Sequence, residues 1–183
     1  NGLAFQWVVR DGLNEFYSVL SRNMRELGSP GHGVNWFKSV VKHYGEAARI
    51  GLVYKGSKAV GCGLLLCGTK TVAIPWASTL RDYNSLNPNM LLYWNILKFS
   101  IENNYKEFNF GRSTPGEGTY KFKKQWGATE RTLYTHSFKH KPCQVKSTGS
   151  IVQGRKTLAA IWSKLPLPVA NALGPMLRKY ISL

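Results

Sequence analysis

Three apolar stretches separated by two short turns make up residues 48–77, ARIGLVYKGSKAVGCGLLLCGTKTVAIPWA. The stretches at 48–54, 59–66 and 71–77 have the length and the apolar content of strands. Each turn is short and contains a glycine, so consecutive strands run antiparallel. The segment therefore predicts a three-stranded antiparallel meander.

Helical patterns stand on both sides of this meander. Asn87 and Pro88 begin the helix that follows it, because asparagine is favoured at the N-cap and proline at the first helical position. The further predicted elements are a strand at 3–10, helices at 14–27, 36–44 and 87–103, a strand at 106–110, a short helix at 119–126 and a strand at 133–139. This order predicts an α/β (α+β) domain with a mixed, mostly antiparallel sheet flanked by helices.

The C-terminal part of the chain differs in composition from the rest. From Arg131 onward it contains nine Lys and Arg and no acidic residue. We predict a domain over residues 1–140, followed by a basic linker and an amphipathic helical tail over 141–183. The apolar face of this tail, around Trp162 and Leu165, either docks on the domain or lies on an anionic membrane surface.

Charge dominates the composition of the chain. Its 183 residues include 25 Lys and Arg against nine Asp and Glu, a formal net charge of +16. An acidic partner is expected, either nucleic acid, anionic lipid or a phosphorylated ligand. The histidines and the three cysteines lack the spacing of a metal site, and Cys62, Cys67 and Cys143 are interpreted as reduced thiols. We therefore predict no metal and no disulfide.

A glycine-rich loop between a strand and a helix lies within residues 108–127, FNFGRSTPGEGTYKFKKQWG. Backbone N–H groups at a helix N-terminus bind anions or a developing oxyanion. Arg112, Lys121, Lys123 and Lys124 add positive charge there. The spacing of a phosphate-binding P-loop is absent, which argues against nucleotide hydrolysis. The alternative is an ordinary connection with solvated lysines.

Four motifs resemble the FemAB-like acyltransferases, a branch of the GNAT-type fold. They are IPWAS at 74–78, YNSLNPNMLLY at 83–93, FNFGRS at 108–113 and YKFKKQWG at 120–127. The chain is most similar to FemAB-like proteins linked to exopolysaccharide and PEP-CTERM protein-sorting loci. The resemblance implies a GNAT-type acyl-CoA N-acyltransferase fold with a ligand cleft between two splayed strands. It also implies that this is the second of two GNAT-like halves, with the N-terminal half missing.

The same resemblance implies an acyltransferase that transfers an acyl or aminoacyl group to an amine on a peptidoglycan, exopolysaccharide or other cell-envelope precursor. The implied donor is acyl-CoA or aminoacyl-tRNA, and no covalently bound cofactor is expected. The chain lacks the helical-arm insertion of the tRNA-dependent enzymes and the Q/R-x-x-G-x-G/A loop of ordinary acetyltransferases. The expected location is cytoplasmic, and peripheral contact at the inner face of the plasma membrane is part of this expectation.

Residue roles follow from the chemistry and the family motif together. An activated ester or thioester donor needs no Ser-His-Asp nucleophile, only a stabilised oxyanion and a base. The family pattern of an aromatic-Lys pair before a ring-Gly pair maps onto Phe122-Lys123 and Trp126-Gly127. Lys123 and Arg112 are the expected charge-stabilising residues, with Asp82 or Glu117 as base. Expected substrate-binding residues are Trp76, Ser78, Tyr83, Asn84, Asn89, Ser113, Tyr120 and Phe122.

A non-catalytic function remains open from the sequence. A basic module that binds tRNA or another nucleic acid accounts for the charge, because Lys and Arg neutralise phosphates. No RNA-binding or helix-turn-helix motif accompanies the charge.

Overall fold

A computed structural model describes residues 2–8, 10–134, 136 and 157–178. The chain divides into two compact units. The larger unit contains Asn1–Gly111 and Ala159–Leu183, and the smaller unit contains Arg112–Leu158. The predicted boundary between residues 140 and 141 lies outside the described residues, as do Cys143 and His140.

A five-stranded sheet forms the centre of the larger unit. Its strands follow chain order across the sheet: β1 Leu3–Val8, β2 Ala48–Lys55, β3 Lys58–Cys67, β4 Thr71–Thr79 and β5 Glu107–Asn109. The first four are antiparallel, whereas β5 pairs parallel to β4. The mixed, mostly antiparallel sheet predicted from the sequence is thus observed.

The described helices also follow the predicted order. They are α1 Leu13–Glu26, α2 Val34–Tyr44, α3 Pro88–Glu102, α4 Gly118–Gln125, α5 at residues 157–163 and α6 Leu167–Arg178. Helix α3 starts at Pro88 as predicted. Asn87 precedes it in the left-handed conformation and makes no side-chain capping hydrogen bond, so its role there is conformational.

Helices cover both faces of the sheet. On one face Phe16 of α1 and Phe37 of α2 belong to the same buried cluster as Leu64 of β3, and the two rings meet edge-on at 5.3 Å. On the other face α3 lies so close to β3 that a Cβ on Gly63 would stand 3.5 Å from the side chain of Ile96. These two layers fix the positions of α1 and α3 relative to β4.

The tail helices of the larger unit pack on its body. Trp162 and Ala170 are buried, and the Arg25 side chain of α1 donates a hydrogen bond to the Leu165 carbonyl oxygen at 3.3 Å. Docking on the domain, one of the two alternatives for the tail, is therefore observed, with contacts to α1 and to the loop that follows it. In the described ranges, no helix combines the length and the apolarity that crossing a membrane requires.

The strand predicted at 133–139 is not present at the described positions in that range. Leu133 and Tyr134 are 65% and 82% exposed and belong to no strand, and residue 136 is likewise irregular. A strand is stabilised by side chains that pack against neighbouring residues, and these two side chains are exposed. The other residues of this prediction lie outside the described part of the chain.

Candidate functional site

The pairing of β4 with β5 ends partway along β4, at the end of β5. The parallel pairing ends at Ala73 and Asn109, while β4 continues to Thr79 with β3 as its partner. Over residues 74–79 the other edge of β4 has no strand partner in the part of the chain that the structure describes. This edge presents backbone N–H and C=O groups to an extended ligand.

A β-bulge marks the point of separation. The register between β3 and β4 shifts between Leu64 and Leu66, which places Ile74 and Pro75 opposite Leu65 alone. Proline has no N–H for a ladder hydrogen bond, so it is tolerated in a strand at such a position. Bulges are common beside active sites because they redirect the strand and its side chains.

Two predicted substrate-binding residues, Trp76 and Ser78, lie on β4 beyond this bulge. Trp76 is half-buried and packs edge-on against Phe37 at 5.3 Å. Ser78 is buried, and its hydroxyl accepts a hydrogen bond from the Asn23 amide of α1 at 3.0 Å. Two residues apart, they share the face of β4 that α1 and α2 cover.

The loop after β4 holds three further predicted residues in defined contacts. Asp82 is 67% exposed and forms an ion pair with Arg22 of α1 at 3.2 Å. The Lys58 ammonium lies 5.0 Å from the centre of the Tyr83 ring. The Asn84 side-chain oxygen accepts a hydrogen bond from the Thr79 hydroxyl at 3.1 Å. These contacts hold the loop at the end of β4.

Asn89 lies in the first turn of α3, at the end of the same loop, and is partly buried. Its neighbour Pro88 has no N–H, and the amides of Met90 and Leu91 both donate to the Asn87 carbonyl oxygen, at 3.1 and 3.4 Å. Proline and these local bonds leave the start of α3 with few N–H groups for an anion.

In the smaller unit, the glycine-rich loop and α4 bring together Lys123 and Arg112. The Lys123 ammonium donates a hydrogen bond to the Arg112 carbonyl oxygen at 2.8 Å. Burial lowers the pKa of Lys123, because a partly desolvated ammonium is less stable than a solvated one. A cation held over the loop in this way suits stabilisation of a developing negative charge.

The other predicted substrate-binding residues of the smaller unit are Ser113, Tyr120 and Phe122, which lie between Arg112 and Lys123 in the sequence. The Ser113 hydroxyl is buried and has no hydrogen-bond partner among the described residues. Phe122 packs edge-on against Trp126 at 6.3 Å. The Tyr120 hydroxyl donates to Glu130 at 2.7 Å, and this bond raises the pKa of Tyr120. Tyr120 is thus held within its own unit.

The alternative base Glu117 and the free cysteines Cys62 and Cys67 are also among the described residues. Glu117 precedes α4, is exposed and makes no side-chain capping bond. Cys62 is fully buried and Cys67 half-buried, both as free thiols, and burial raises both pKa values. In the described ranges no group of three or more His, Cys, Asp or Glu side chains is arranged to hold a metal ion.

The sequence profile of the acetyltransferase (GNAT) domain family matches residues 2–124. The chain belongs to this family. The match covers the five strands, the bulge and α4 up to Lys124, so the predicted GNAT-type fold and the predicted acyltransferase activity are both confirmed. No match was found among the curated proteins.

Solved structures with the GNAT fold are similar to this GNAT domain at low sequence identity. The ribosomal-protein-S18-alanine N-acetyltransferase from Escherichia coli has a TM-score of 0.61 and 11% identity, over 71% of this chain and 79% of that one. An aminoglycoside acetyltransferase from an uncultured soil metagenomic sample, in complex with trehalose, has a TM-score of 0.61 and 11% identity, over 78% and 98%. An aminoglycoside N-acetyltransferase in complex with CoA has a TM-score of 0.55 and 13% identity, over 74% and 94%. These similarities show the fold alone.

One cavity of this GNAT domain was not predicted from the sequence. It lies in the larger unit, has a volume of about 230 Å³ and is bounded by α1, the α1–α2 loop, the β4 bulge and the tail helices. Its lining includes Arg25, His32, Trp76 and Arg178. From the sequence, Arg178 is only one of the basic residues of the tail. The glycines at 31 and 33 were the available signal, because they allow a helix to approach the loop closely.

Proposed function

We propose that this GNAT domain transfers an acyl group from acyl-CoA to an amine on a cell-envelope or exopolysaccharide precursor. The observation that carries the proposal is the free edge of β4 over residues 74–79, beside the bulge at Ile74 and Pro75. Extended ligands pair with such an edge through main-chain hydrogen bonds. The pantetheine arm of CoA is an extended chain with amide groups, so its shape and chemistry suit this edge.

The envelope or exopolysaccharide acceptor is supported by the four FemAB-like motifs and by the net charge of +16. Precursors of this kind carry phosphate or carboxylate groups, which a basic protein attracts. Aminoacyl-tRNA is the alternative donor, because it too is an activated ester with phosphates. The chain lacks the helical arm of the tRNA-dependent enzymes, and acyl-CoA is therefore preferred.

We propose that cationic side chains stabilise the negative charge of the donor and of the transition state. The start of α3 offers few N–H groups, since Pro88 has none and two following amides bond to Asn87. We assign the phosphate or carbonyl charge to Arg112 and Lys123 instead. Lys123 is positioned by its bond to the Arg112 carbonyl oxygen at 2.8 Å.

The transfer itself needs no covalent enzyme intermediate. The uncharged amine attacks the thioester carbonyl carbon, and the carbonyl electron pair moves to the oxygen, whose charge Lys123 stabilises. Collapse of this intermediate re-forms the carbonyl and expels the CoA thiolate, while the amine loses a proton. Asp82 is the proposed proton acceptor, and Glu117 is the alternative. The residues proposed to line the acceptor side are Trp76, Ser78, Tyr83, Asn84 and Asn89. Those proposed to contact the donor are Ser113, Tyr120 and Phe122.

A location at the inner face of the plasma membrane is part of the proposal. The tail helices expose Leu158, Ile161, Leu173 and Met176, and the tail carries no acid. Exposed apolar residues next to basic ones suit the surface of an anionic leaflet. A second GNAT-like half is the proposed protein partner, as the FemAB-like resemblance implies.

A transfer assay with matched lysine variants tests the proposed function. The purified protein is incubated with acetyl-CoA and a panel of amino sugars and peptide amines, and thiol release and product mass are measured. Lys123→Ala is expected to lower kcat/KM by about 10²–10³-fold, the usual effect of losing one oxyanion donor. Lys98→Ala serves as control, because Lys98 lies on the exposed side of α3 in an ion pair with Glu102. Full activity of Lys123→Ala disproves the assigned role, and transfer from aminoacyl-tRNA but not from acetyl-CoA disproves the donor.

A further inference from the structure

The Arg25–Arg178 pocket is the cavity of about 230 Å³ described above. Separate parts of the chain build it: α1 contributes Arg25, the α1–α2 loop contributes His32, β4 contributes Trp76, and α6 contributes Arg178. A larger and more open cavity of about 720 Å³ adjoins it and shares His32 and Arg178 with it. A ligand can therefore place a small group inside and a larger body outside.

Close packing of α6 on the α1–α2 loop sets the position of Arg178. A Cβ on Gly174 would lie 3.1 Å from the Gly31 carbonyl oxygen and 3.3 Å from the Gly31 nitrogen. Arg178 is in the last turn of the same helix, one turn beyond Gly174. The contact at Gly174 therefore holds the guanidinium of Arg178 at the pocket.

Both guanidinium groups have a buried nitrogen without a hydrogen-bond acceptor among the described residues. Arg25 uses its terminal nitrogens on Glu26 at 3.4 Å and on the Leu165 carbonyl oxygen at 3.3 Å, whereas its Nε has no partner. Arg178 uses its Nε on His32 at 3.5 Å, whereas its Nη1 has no partner. Buried donors are nearly always satisfied in proteins, so each of these guanidinium groups retains an unused donor.

The pocket has a net positive charge. None of its lining residues is Asp or Glu. Burial and the nearby Arg178 lower the pKa of His32, so the imidazole is neutral and its Nε2 accepts the hydrogen bond from Arg178. Arg25 and Arg178 both line the cavity, and Glu26, the ion-pair partner of Arg25 at 3.4 Å, is not among the lining residues. Two arginines without a carboxylate in the lining favour an anion that forms bidentate hydrogen bonds with arginine.

The position of the pocket relates it to the sheet. Pro75 and Trp76 line it, Pro75 within the β4 bulge and Trp76 directly after it. The rings of Trp76 and Phe37 provide an apolar wall beside the guanidinium groups. The pocket thus combines two arginines with an apolar wall next to the free edge of β4.

We propose that the Arg25–Arg178 pocket binds the acceptor of the acyl transfer through a phosphate or carboxylate group on that acceptor. The acceptor role rests on the proposed function, whereas the anion site rests on the pocket alone. Arg25 and Arg178 bind the anionic group, and the body of the acceptor lies against Trp76. The acceptor class is accordingly an amine that carries a phosphate or a carboxylate, such as a phosphorylated amino sugar.

Calorimetric titration of the intact protein with glucosamine 6-phosphate and with glucosamine tests the anion site. The phosphorylated compound is expected to bind at least tenfold more tightly. Arg178→Gln and, as a second variant, Arg25→Gln are expected to weaken its binding at least tenfold and to leave glucosamine unaffected. Arg49→Gln removes the same charge from an exposed position over the Phe99 ring, outside the pocket, and is expected to bind like the wild type. Arg178→Lys is expected to restore part of the affinity.

Equal binding of the two compounds, or equal weakening by Arg49→Gln, overturns the anion site. Circular dichroism of each variant confirms that it is folded, and Arg25→Gln decides the question if Arg178→Gln does not fold.

Transfer kinetics then test the acceptor role. Arg178→Gln is expected to raise KM for the phosphorylated acceptor at least tenfold with KM for acetyl-CoA unchanged. Equal transfer to glucosamine 6-phosphate and glucosamine overturns the acceptor role of the pocket but leaves the proposed acyl transfer intact. Binding of glucosamine 6-phosphate that depends on the arginines, without any acyl transfer, overturns the proposed transfer and leaves the anion site.

Discussion

Replacement of Trp162 by alanine tests whether the C-terminal helices are part of the folded domain. Trp162 is 8% exposed and lies on α5, which packs on the larger unit. A tryptophan side chain of this burial removes about 200 Å² from water, which corresponds to about 5 kcal/mol as an upper limit. Measured Trp-to-Ala substitutions in cores cost about 3–5 kcal/mol, and we expect a loss in this range.

Ile161 provides the matched control for this substitution. It is the adjacent residue of the same helix and is 58% exposed, so Ile161→Ala is expected to cost less than about 1 kcal/mol. Urea unfolding followed by circular dichroism gives the free energy of unfolding of both variants and of the wild type. In a thermal scan the loss in Trp162→Ala corresponds to a decrease of about 10 °C in Tm, since 1 kcal/mol shifts a domain of this size by roughly 2–4 °C.

A loss below about 1 kcal/mol in Trp162→Ala refutes the docked arrangement. The tail would then be separate from the domain in solution, and Arg178 would no longer line the Arg25–Arg178 pocket. Flotation of the protein with anionic liposomes, with and without residues 150–183, then shows whether the tail binds a membrane surface instead. If Trp162→Ala lowers the free energy of unfolding as expected and the wild-type protein also floats with anionic liposomes, the tail is docked and its exposed face contacts lipid.

Two further substitutions test the packing of the larger unit. Burial raises the pKa of Tyr93 from 10.0 to about 12, so the folded state holds this proton more tightly than the unfolded state. This stabilisation is present below pH 10 and is lost as the pH rises from 10 to 12, by about 3 kcal/mol at most. Tyr93→Phe keeps the ring stacked on Phe110 and is expected to flatten the decrease of the urea-derived free energy of unfolding over that pH range. An unchanged slope of the free energy of unfolding against pH contradicts this prediction. Gly174→Val is expected to cost about 1–3 kcal/mol because its side chain meets the Gly31 backbone, whereas Ala172→Val, exposed on the same helix, is expected to change the free energy of unfolding by less than about 1 kcal/mol. Equal thermal denaturation curves for these two variants contradict the close approach of α6.

Most of the secondary structure was predictable because its signals are local. The turn glycines between residues 48 and 77, the apolar stretches that they separate and the proline at position 88 act over a few neighbouring residues. They place the antiparallel strands and the start of α3 close to the observed bounds. The strand expected at 133–139 failed at its described positions, where the apolar side chains of Leu133 and Tyr134 are exposed.

The candidate site was predictable only in part. The residues after β4 and on α4 could be selected by motif, but their contacts could not. The bond of Asn23 to Ser78 and the ion pair of Arg22 with Asp82 join positions 55 and 60 residues apart. Such contacts depend on how α1 packs on the sheet, which no local pattern describes.

The amino-acid sequence by itself determined the order of strands and helices, the family motifs and the excess of positive charge. Only the tertiary structure decided which charges converge. Arg25 and Arg178 belong to helices at opposite ends of the chain, and they line one cavity because α6 packs against the α1–α2 loop at Gly174. Local patterns follow from backbone geometry within one turn or strand, whereas the position of a guanidinium depends on the packing of the whole larger unit.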